Sequence, residues 1–266
     1  MVSDEEAVIV SHDEAGPGYR YLVMRAPALA ASLVPGQFVH VKVPGLEASA
    51  LRRPFSVFDA VPESGEVTVM YKVVGRGTAA LARETPGGVV RVMGPLGRGF
   101  PLKCKGAPLL VGGGYGVAPL HFLARRMVAG GLRPVLFEGG RTKDDLLALD
   151  RFAAMGVETR VATNDGSVGV KGFVTEPLDD ALIALRGAGE AFELFTCGPD
   201  GLLKAVAQRA VGTGMPGWIS MDRHMVCGVG ACFACIQKIR MPNGDVFNAR
   251  CCVNGPVFAA ADIVWE

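Results

Sequence analysis

The C-terminal part of the chain carries the residues whose types and spacing most clearly suit chemistry. Cys227, Cys232 and Cys235 are followed by an adjacent pair, Cys251 and Cys252. The first three have the spacing C-x4-C-x2-C, and sixteen residues separate Cys235 from Cys252. Four cysteines spaced in this way are typical of a plant-type [2Fe–2S] cluster. A structural zinc site is the alternative, but zinc modules usually present two cysteine pairs of similar spacing.

The residues between these cysteines also suit a cluster. Most have little or no side chain: Gly228, Gly230, Ala231 and Ala234. Backbone N–H groups in such a loop can turn toward the bridging sulfides and stabilise their negative charge.

The segment between Cys235 and the adjacent pair contains a hairpin signal. Asn243-Gly244 lies within residues 236–250, which predicts a β-hairpin that leaves the cluster and returns to it. Successive side chains of an extended segment point to opposite faces, so Cys251 and Cys252 cannot easily both bind one cluster. Spacing alone leaves open which of them does.

Arg52-Arg53-Pro54-Phe55-Ser56 is a candidate nucleotide motif. An arginine offers a planar, permanently charged fork that suits a pyrophosphate, and an aromatic neighbour can stack on a flat ring. Taken alone, the same residues are also an ordinary start of a strand.

Gly75-Arg76-Gly77-Thr78 is a second candidate. Glycines that let N–H groups converge, followed by a capping threonine, predict an anion site where a helix begins. A simple capped turn is the alternative.

A glycine-rich loop follows an apolar strand and precedes a helical segment. It contains Gly112, Gly113, Gly114 and Gly116. This is the context of a dinucleotide site, although the G-x-G-x-x-G fingerprint is absent. Arg141, after the next strand, is expected to meet an adenosine phosphate or ribose.

Cys197-Gly198-Pro199 stands at another strand end before a helix. A cysteine there is small enough to lie against a nicotinamide ring. An isolated buried cysteine is otherwise more often a packing residue.

The elements that must position these motifs indicate an α+β protein of several domains. Short strands at 19–25, 37–43, 67–74 and 89–93, separated by Gly/Pro turns, predict an antiparallel β-barrel over residues 1–102, with a short helix at 78–84. Residues 103–215 alternate strands (109–112, 134–138, 158–162, 192–196) with helices (118–129, 143–154, 175–185, 201–211). This predicts a doubly wound α/β domain, and residues 216–266 form the cluster module.

Composition excludes some classes of partner. Lys plus Arg is 27 and Asp plus Glu is 26, a net charge of +1, which argues against nucleic-acid and membrane-surface binding. The first residues lack the basic and apolar blocks of a signal peptide, and the uncharged run 106–124 contains glycines and prolines unsuited to a membrane span. Together with clustered cysteines, these features predict a cytoplasmic protein.

The order of the motifs resembles the ferredoxin–NADP⁺ reductase superfamily over residues 5–215. The resemblance implies that the barrel binds FAD and that the α/β domain binds a nicotinamide nucleotide. The family's Arg-x-Tyr-Ser motif corresponds to Arg53, Phe55 and Ser56, with Pro54 between them. Phenylalanine keeps a stacking face but lacks the phenol hydroxyl.

The cysteine spacing and the Gly-Pro-Val-Phe sequence after Cys252 narrow the resemblance to the electron-transfer subunits of NAD-dependent (type 1B) dihydroorotate dehydrogenase. This resemblance implies that Cys252 rather than Cys251 is the last cluster ligand. It also implies further FAD contacts, namely Met70, Tyr71, Lys72, Gly77 and Thr78. The chain departs from the family pattern at Tyr115 and Asn254.

The function implied is electron transfer, and no acid–base or nucleophilic catalytic residue is predicted. Electrons from an FMN-containing dihydroorotate dehydrogenase catalytic subunit, in a heterotetramer, would pass through the cluster and FAD to NAD⁺. One alternative is an NAD(P)H reductase serving a ferredoxin, an oxygenase or a bifurcating complex. Related NADPH oxidoreductases often have Asp where this chain has Cys227, which favours the dihydroorotate interpretation. A cluster-based redox sensor is the remaining alternative.

Overall fold

The computed structural model describes residues 2–46 and 51–265. The first part of the chain is a closed antiparallel barrel with the strand order β1-β2-β5-β4-β3-β6. The elements are β1 (Ser3–Gly16), β2 (Tyr19–Arg25), α1 (Pro27–Ser32), β3 (Phe38–Lys42), β4 (Arg53–Val61), β5 (Glu66–Lys72), α2 (Arg76–Leu81) and β6 (Val89–Leu96). The predicted barrel is therefore confirmed.

Side-chain alternation divides each barrel strand between two environments. On β5, Val67, Val69 and Tyr71 pack inside the barrel. Met70, between them, belongs instead to the apolar cluster shared with the second domain. Because alternate side chains of a strand point to opposite faces, one barrel face is left available to pack against the rest of the molecule.

The remaining elements form a seven-stranded sheet, its covering helices and a hairpin. They are β7 (Ala107–Gly113), α3 (Ala118–Ala129), β8 (Val135–Gly140), α4 (Leu149–Ala154), β9 (Glu158–Thr163), β10 (Val170–Lys171), α5 (Thr175–Gly187), β11 (Phe192–Cys197), α6 (Asp200–Thr213), β12 (Gly217–Ser220), β13 (Ile236–Arg240), β14 (Val246–Arg250), α7 (Cys251–Asn254) and β15 (Val257–Ala259). The sheet order is β10-β9-β8-β7-β11-β12-β15, and β13 pairs with β14. The α/β sheet and the hairpin agree with the predicted fold class.

Helices cover both faces of the sheet. Residues of α3 and α4 share a core with Leu110 of β7 and Leu136 of β8. Residues of α5 and α6 share another core with the next side chains along the same strands, Val111 and Phe137. A parallel sheet buried on both faces in this way carries its binding loops at the carboxyl ends of its strands.

The sheet continues into the C-terminal segment. β12 pairs in parallel with β11, and β15 then pairs antiparallel with β12. An isolated bridge between Ile239 and Ile263 ties the hairpin to the end of the chain. The cluster segment thus contributes two strands to the central sheet. The domain limits at 102/103 and 215/216 stay predictions.

One predicted helix is wrong. Residues 143–154 form a short 3-10 turn, Lys143–Asp145, and then the separate helix α4. The backbone N–H of Leu147 donates a hydrogen bond to Oε1 of the buried Glu138 carboxyl group at 2.6 Å, and Ala148 adopts a φ of 60°. A left-handed residue cannot continue an α-helix, so a contact with the preceding strand interrupts a segment whose local sequence favours helix.

The barrel is fixed against α3 by a polar and aromatic contact. The rings of Phe58 and His121 stack with centroids 3.9 Å apart, and His121 Nδ1 lies 3.2 Å from the carbonyl oxygen of Phe58. Beside them, Arg125 Nε donates to the Asp59 carboxylate at 2.7 Å. Burial lowers the pKa of His121 to about 4, so the imidazole is neutral at physiological pH. The helices within residues 2–46 and 51–265 include none with the length and hydropathy of a membrane span.

The buried Glu138 generates a prediction about stability. Burial raises the pKa of Glu138 to about 8. Between its ordinary value near 4.5 and about 8, the unfolded state releases this proton while the folded state keeps it, so stability falls as pH rises. We expect Glu138→Gln to remove a slope of up to about 1.4 kcal/mol per pH unit in that window. Urea unfolding from pH 5 to 9 measures it.

The matched control is Glu63→Gln, which makes the same change at an exposed position. This variant should keep the wild-type pH dependence. Parallel curves for Glu138→Gln and the wild type would show that Glu138 is ionised in the folded protein.

Candidate cofactor-binding sites

The predicted cluster ligands come together in two pairs. The Cys232 thiol contributes to the pKa of Cys227, and the backbone N–H of Cys252 donates to Cys235 Sγ at 3.5 Å. Cys227 also contributes to the raised pKa of Cys252, which indicates that the two pairs lie near each other. In the described ranges, no three or more His, Cys, Asp or Glu side chains are grouped to hold a single metal ion. Two pairs of thiols fit a two-iron cluster, in which each iron takes two protein ligands.

Backbone groups of the loop point at the sulfur of Cys227. The N–H of Ala231 donates to Cys227 Sγ at 3.3 Å. Burial opposes ionisation, but the N–H groups of Cys232, Val229 and Ala231 outweigh it and lower the pKa of Cys227 to about 6. The loop is therefore built to hold a thiolate, as its small residues predict.

The adjacent cysteines differ in their surroundings. Both are buried at the start of α7, and burial raises the pKa of each thiol to about 12. The Cys252 thiol is near Cys235, Cys227 and the backbone of Gly230. The Cys251 thiol is influenced by Cys235, Cys252 and Arg223. A thiol with so high a pKa ionises only beside a positive charge, such as a metal ion.

The cluster loop is held by Arg250 at the end of the hairpin. Its Nη1 donates to the carbonyl oxygen of Gly230 at 2.9 Å, and its guanidinium lies 5.1 Å from the Phe233 ring centroid. Phe233 has a φ of 56°, which costs a non-glycine residue about 1–2 kcal/mol. Contacts with Arg250 offset that cost and fix the loop between the ligand cysteines.

Two of the predicted flavin motifs meet at one point. A Cβ at Gly77 would lie 2.8 Å from Cζ of Arg53, so only glycine lets the guanidinium lie there. The Thr78 hydroxyl accepts the N–H groups of Val74 at 2.9 Å and Gly75 at 3.1 Å. The arginine and the Gly-Arg-Gly-Thr turn thus form one positively charged corner that suits a pyrophosphate.

The aromatic residue of the flavin motif lies inside the barrel. Phe55 is 8% exposed, and its ring is 5.2 Å from that of Tyr71. The Tyr71 hydroxyl lies 2.8 Å from His12 Nε2. Strand alternation therefore turns Pro54 and Ser56, rather than Phe55, to the outer barrel face. The stacking role of Phe55 stays a prediction.

Lys72 takes part in a network that the sequence analysis missed. Its Nζ donates to the Tyr19 hydroxyl at 2.9 Å, which donates to Asp145 Oδ1 at 2.8 Å. Arg141 Nε donates to the other oxygen of Asp145 at 3.3 Å, with a side chain that remains 77% exposed. Although burial raises it, hydrogen bonds from Tyr19 and Arg141 lower the pKa of Asp145. The network joins the barrel to the α/β domain beside the glycine-rich loop.

The glycine-rich loop and the Cys-Gly-Pro turn touch each other. A Cβ at Gly116 would lie 2.5 Å from the carbonyl oxygen of Cys197 and 2.6 Å from Cα of Gly198. A Cβ at Gly113 would lie 2.9 Å from Cδ of Pro199. Gly112 packs more loosely, with Val117 at 3.3 Å from the same position. The carboxyl ends of β7 and β11 thus bring the two nucleotide motifs together, as parallel strands predict.

Tyr115, on this loop, has a partner that sequence spacing does not indicate. Its hydroxyl donates to Asp222 Oδ2 at 3.0 Å. Burial, together with Asp222, raises the pKa values of Tyr115 and of Cys197 above their usual ranges, the latter to about 12. Neutral phenol and thiol groups therefore line the place expected for a nicotinamide ring.

Two family models match the chain. The iron–sulfur cluster binding domain of dihydroorotate dehydrogenase B matches residues 222–264, and the oxidoreductase FAD-binding domain matches residues 6–100. The chain is 39% identical over 269 residues to the “Dihydroorotate dehydrogenase B (NAD(+)), electron transfer subunit” of Bacillus cereus (strain B4264), covering 99% of this chain and 100% of that one. The subunit of the same description from Bacillus caldolyticus is 42% identical over 86% of each chain.

Solved structures share the fold. A structure of NADH-dependent reduced ferredoxin-NADP oxidoreductase superposes with a TM-score of 0.84 at 31% identity, covering 97% of this chain and 90% of that one. The ferredoxin reductase of carbazole 1,9a-dioxygenase gives a TM-score of 0.66 at 23% identity, over 80% of this chain and 67% of that one. The second similarity concerns the fold alone.

Fold and site together define an oxidoreductase subunit of the ferredoxin–NADP⁺ reductase type, with FAD and iron–sulfur binding domains. The chain belongs to the family of dihydroorotate dehydrogenase B (NAD(+)) electron transfer subunits. The predicted fold class and the predicted cofactors FAD, iron–sulfur cluster and NAD are confirmed. Because the chain is an oxidoreductase subunit, the alternative hypothesis of a cluster-based redox sensor is not favoured.

The contact between Gly116 and Cys197 generates a prediction about nucleotide binding. In Gly116→Ala, the added methyl group must push the two loops apart, because the atom it meets is backbone. We expect the affinity for NADH to fall about tenfold, or about 1.4 kcal/mol, with flavin and cluster content unchanged. Stopped-flow flavin reduction at increasing NADH concentration measures it. Gly212→Ala in α6, where the methyl group meets open space, is the control. Equal affinities for NADH in the two variants would show that this loop is not part of the nucleotide site.

The adjacent cysteines can be separated by matched variants. We expect Cys252→Ser to lose most of its iron and sulfide, because its thiol lies with those of Cys235 and Cys227. We expect Cys251→Ser to keep them. Iron and sulfide analysis with EPR of the dithionite-reduced proteins provides the measurement. The opposite pattern would make Cys251 the ligand.

Proposed function

We propose that the chain is the electron-transfer subunit of an NAD-dependent dihydroorotate dehydrogenase, passing electrons from a partner FMN subunit to NAD⁺ in pyrimidine biosynthesis. One observation carries the proposal. Gly228 of the cluster loop touches His40 of β3, and His40 is the cross-strand neighbour of Pro54 in the flavin motif. The candidate cluster and flavin sites are therefore neighbours, as electron transfer within one chain requires.

FAD, when bound, exchanges a hydride with nicotinamide and single electrons with an iron–sulfur cluster, so it joins two-electron and one-electron chemistry. The protein would supply the positioning. In this proposal Cys227, Cys232, Cys235 and Cys252 hold the cluster. Arg53 and the turn at Gly77 hold the flavin pyrophosphate, and Ser56 lies on the outer barrel face beside the flavin ring.

The nucleotide would lie across the glycine-rich loop and the Cys-Gly-Pro turn. The Tyr115–Asp222 hydrogen bond fixes the aromatic ring at the edge of this site. Cys197 contributes a small, neutral, buried thiol, which leaves room for a flat ring. The exposed guanidinium of Arg141 is available to the adenosine half. Its position supports nucleotide binding, and the choice between NAD and NADP rests on the names of the relatives.

A partner subunit is proposed because electrons must enter the cluster from outside this chain. Around the cluster loop and the hairpin, large apolar side chains are exposed: Val229, Phe233, Val246, Phe247 and Val253. Cys232 is itself exposed. Exposed apolar side chains on the segments that carry an exposed ligand suit a protein interface. We propose the FMN-containing dihydroorotate dehydrogenase catalytic subunit as its occupant, in a heterotetramer with two copies of each chain.

We also propose a cytoplasmic location. None of the seven cysteines, all within the described ranges, is in a disulfide, a state that a reducing compartment preserves. The second candidate function is an NAD(P)H reductase for a ferredoxin or a bifurcating complex. It is favoured by the TM-score of 0.84 with NADH-dependent reduced ferredoxin-NADP oxidoreductase.

Low-temperature EPR of anaerobically purified protein, before and after NADH addition, tests the proposal. We expect a rhombic [2Fe–2S] signal to appear with NADH, and Gly116→Ala to need a higher NADH concentration for the same signal. Co-purification with the catalytic subunit should then give dihydroorotate-dependent reduction of NAD⁺, which this chain alone should lack. Dihydroorotate oxidation by this chain alone would contradict the division of labour. Coupling to ferredoxin instead would favour the second candidate.

A further inference from the structure

His40 is a buried polar side chain that has no role in the electron transfer proposed above. It is 1% exposed, and neither ring nitrogen has a hydrogen-bond partner among the described residues. An imidazole without a partner in a protein interior is unfavourable, because it has lost water without a replacement. Such a group is expected to find its partner in something that binds beside it.

The surroundings of His40 identify where that partner lies. Its neighbours on β3, Val39 and Val41, point into the barrel core, so His40 points outward. On that outer face its ring lies 5.6 Å from the Phe38 ring, which packs in the same apolar core as Cys235 and Cys252. His40 therefore faces the cluster module rather than the barrel interior.

Gly228 makes the approach close. It has a φ of 71°, and a Cβ there would lie 2.9 Å from Cε1 of His40 and 3.1 Å from each ring nitrogen. The imidazole thus lies directly against the residue that follows Cys227. A side chain at position 228 would displace either the ring or the ligand loop.

The ring is suited to donate one hydrogen bond. Burial, and then the positive charge of Arg52, lower the pKa of His40 to about 4, so the imidazole is neutral at physiological pH. A neutral imidazole has one N–H donor and one acceptor nitrogen. Cluster sulfides and thiolates are acceptors, and hydrogen bonds to them are among the factors that set reduction potentials.

We propose that His40 donates a hydrogen bond from the barrel to a sulfur of the cluster and thereby raises the cluster's reduction potential. This inference deepens the proposed function and rests on the cluster being present. His40 acts as a positioning residue: it fixes the Cys227 loop against the flavin barrel and tunes the energy of electron transfer between them. A donor withdraws negative charge from sulfur, so it stabilises the reduced cluster relative to the oxidised one.

Potentiometric titration of the purified holoprotein, with EPR for the cluster and absorbance for FAD, tests the proposal. We expect His40→Phe to lower the cluster midpoint potential by about 59 mV, a tenfold change in a one-electron equilibrium. The FAD potential should stay unchanged. His40→Gln keeps an N–H donor and should recover much of the shift. His121→Phe removes the other buried, neutral imidazole, at the barrel–α3 contact, and should leave the cluster potential at its wild-type value.

A measurement on the unchanged protein covers the case in which His40→Phe fails to load a cluster. Pulsed EPR of the reduced protein with ¹⁵N-labelled histidine should give a nitrogen coupling, and exchange into D₂O should remove a proton coupling. In His40→Gln the histidine nitrogen coupling should be absent, whereas the coupling to the exchangeable proton should remain. Absence of a histidine coupling, or a shift of the FAD potential alone, would overturn the inference. A wild-type protein without any cluster would instead overturn the proposed function.

Discussion

Close backbone packing at a few glycines determines how the candidate cofactor sites are assembled. Gly77 lets the Arg53 guanidinium lie on its turn, and Gly116 lets the glycine-rich loop touch the Cys197 carbonyl. Gly228 does the same for His40. At each place a Cβ would lie no more than 2.9 Å from its neighbour. The chain thus brings residues distant in sequence closer than any side chain would permit, and each contact joins two segments of the proposed sites.

The contacts between barrel and sheet then keep these sites at fixed separations. The Phe58–His121 stack and the Arg125–Asp59 ion pair fix α3 on the barrel. On the nucleotide side, Tyr19 links the barrel to Asp145. Electron transfer depends on distance, so a mobile barrel would weaken the pathway even if every cofactor were bound. The buried, neutral His121 suits this purpose, because its ring adds no charge of its own that would favour hydration.

The sequence predicted the elements with strong local signals and missed those decided by pairing. Residues 19–25 and 118–129 were predicted at the limits that the structure has for β2 and α3. β1 was missed because its 14 residues are rich in acidic side chains, and only Ala7 and Ile9 are buried. Two of the seven sheet strands, β12 and β15, follow the predicted limit at 215/216, because their pairing depends on segments that are not adjacent in sequence. The helix predicted at 143–154 failed because of a contact outside the segment itself, since Glu138 of the preceding strand accepts the N–H of Leu147.

The candidate sites divide in the same way, into residues that local sequence signals indicate and residues that only the fold brings together. Cysteine spacing is a local signal, so it indicated the cluster ligands, whereas nothing near Asp222 or Tyr19 in sequence indicates their partners. His40 is the extreme case: 188 positions separate it from Gly228, and only the packing of the cluster loop on the barrel brings the two together. Cofactor ligands can be recognised from the sequence when they are close together in the chain or lie on adjoining loops. His40, proposed to adjust the energy between two cofactors, lies where the cluster loop packs on the barrel, so it is recognised only once the fold is known.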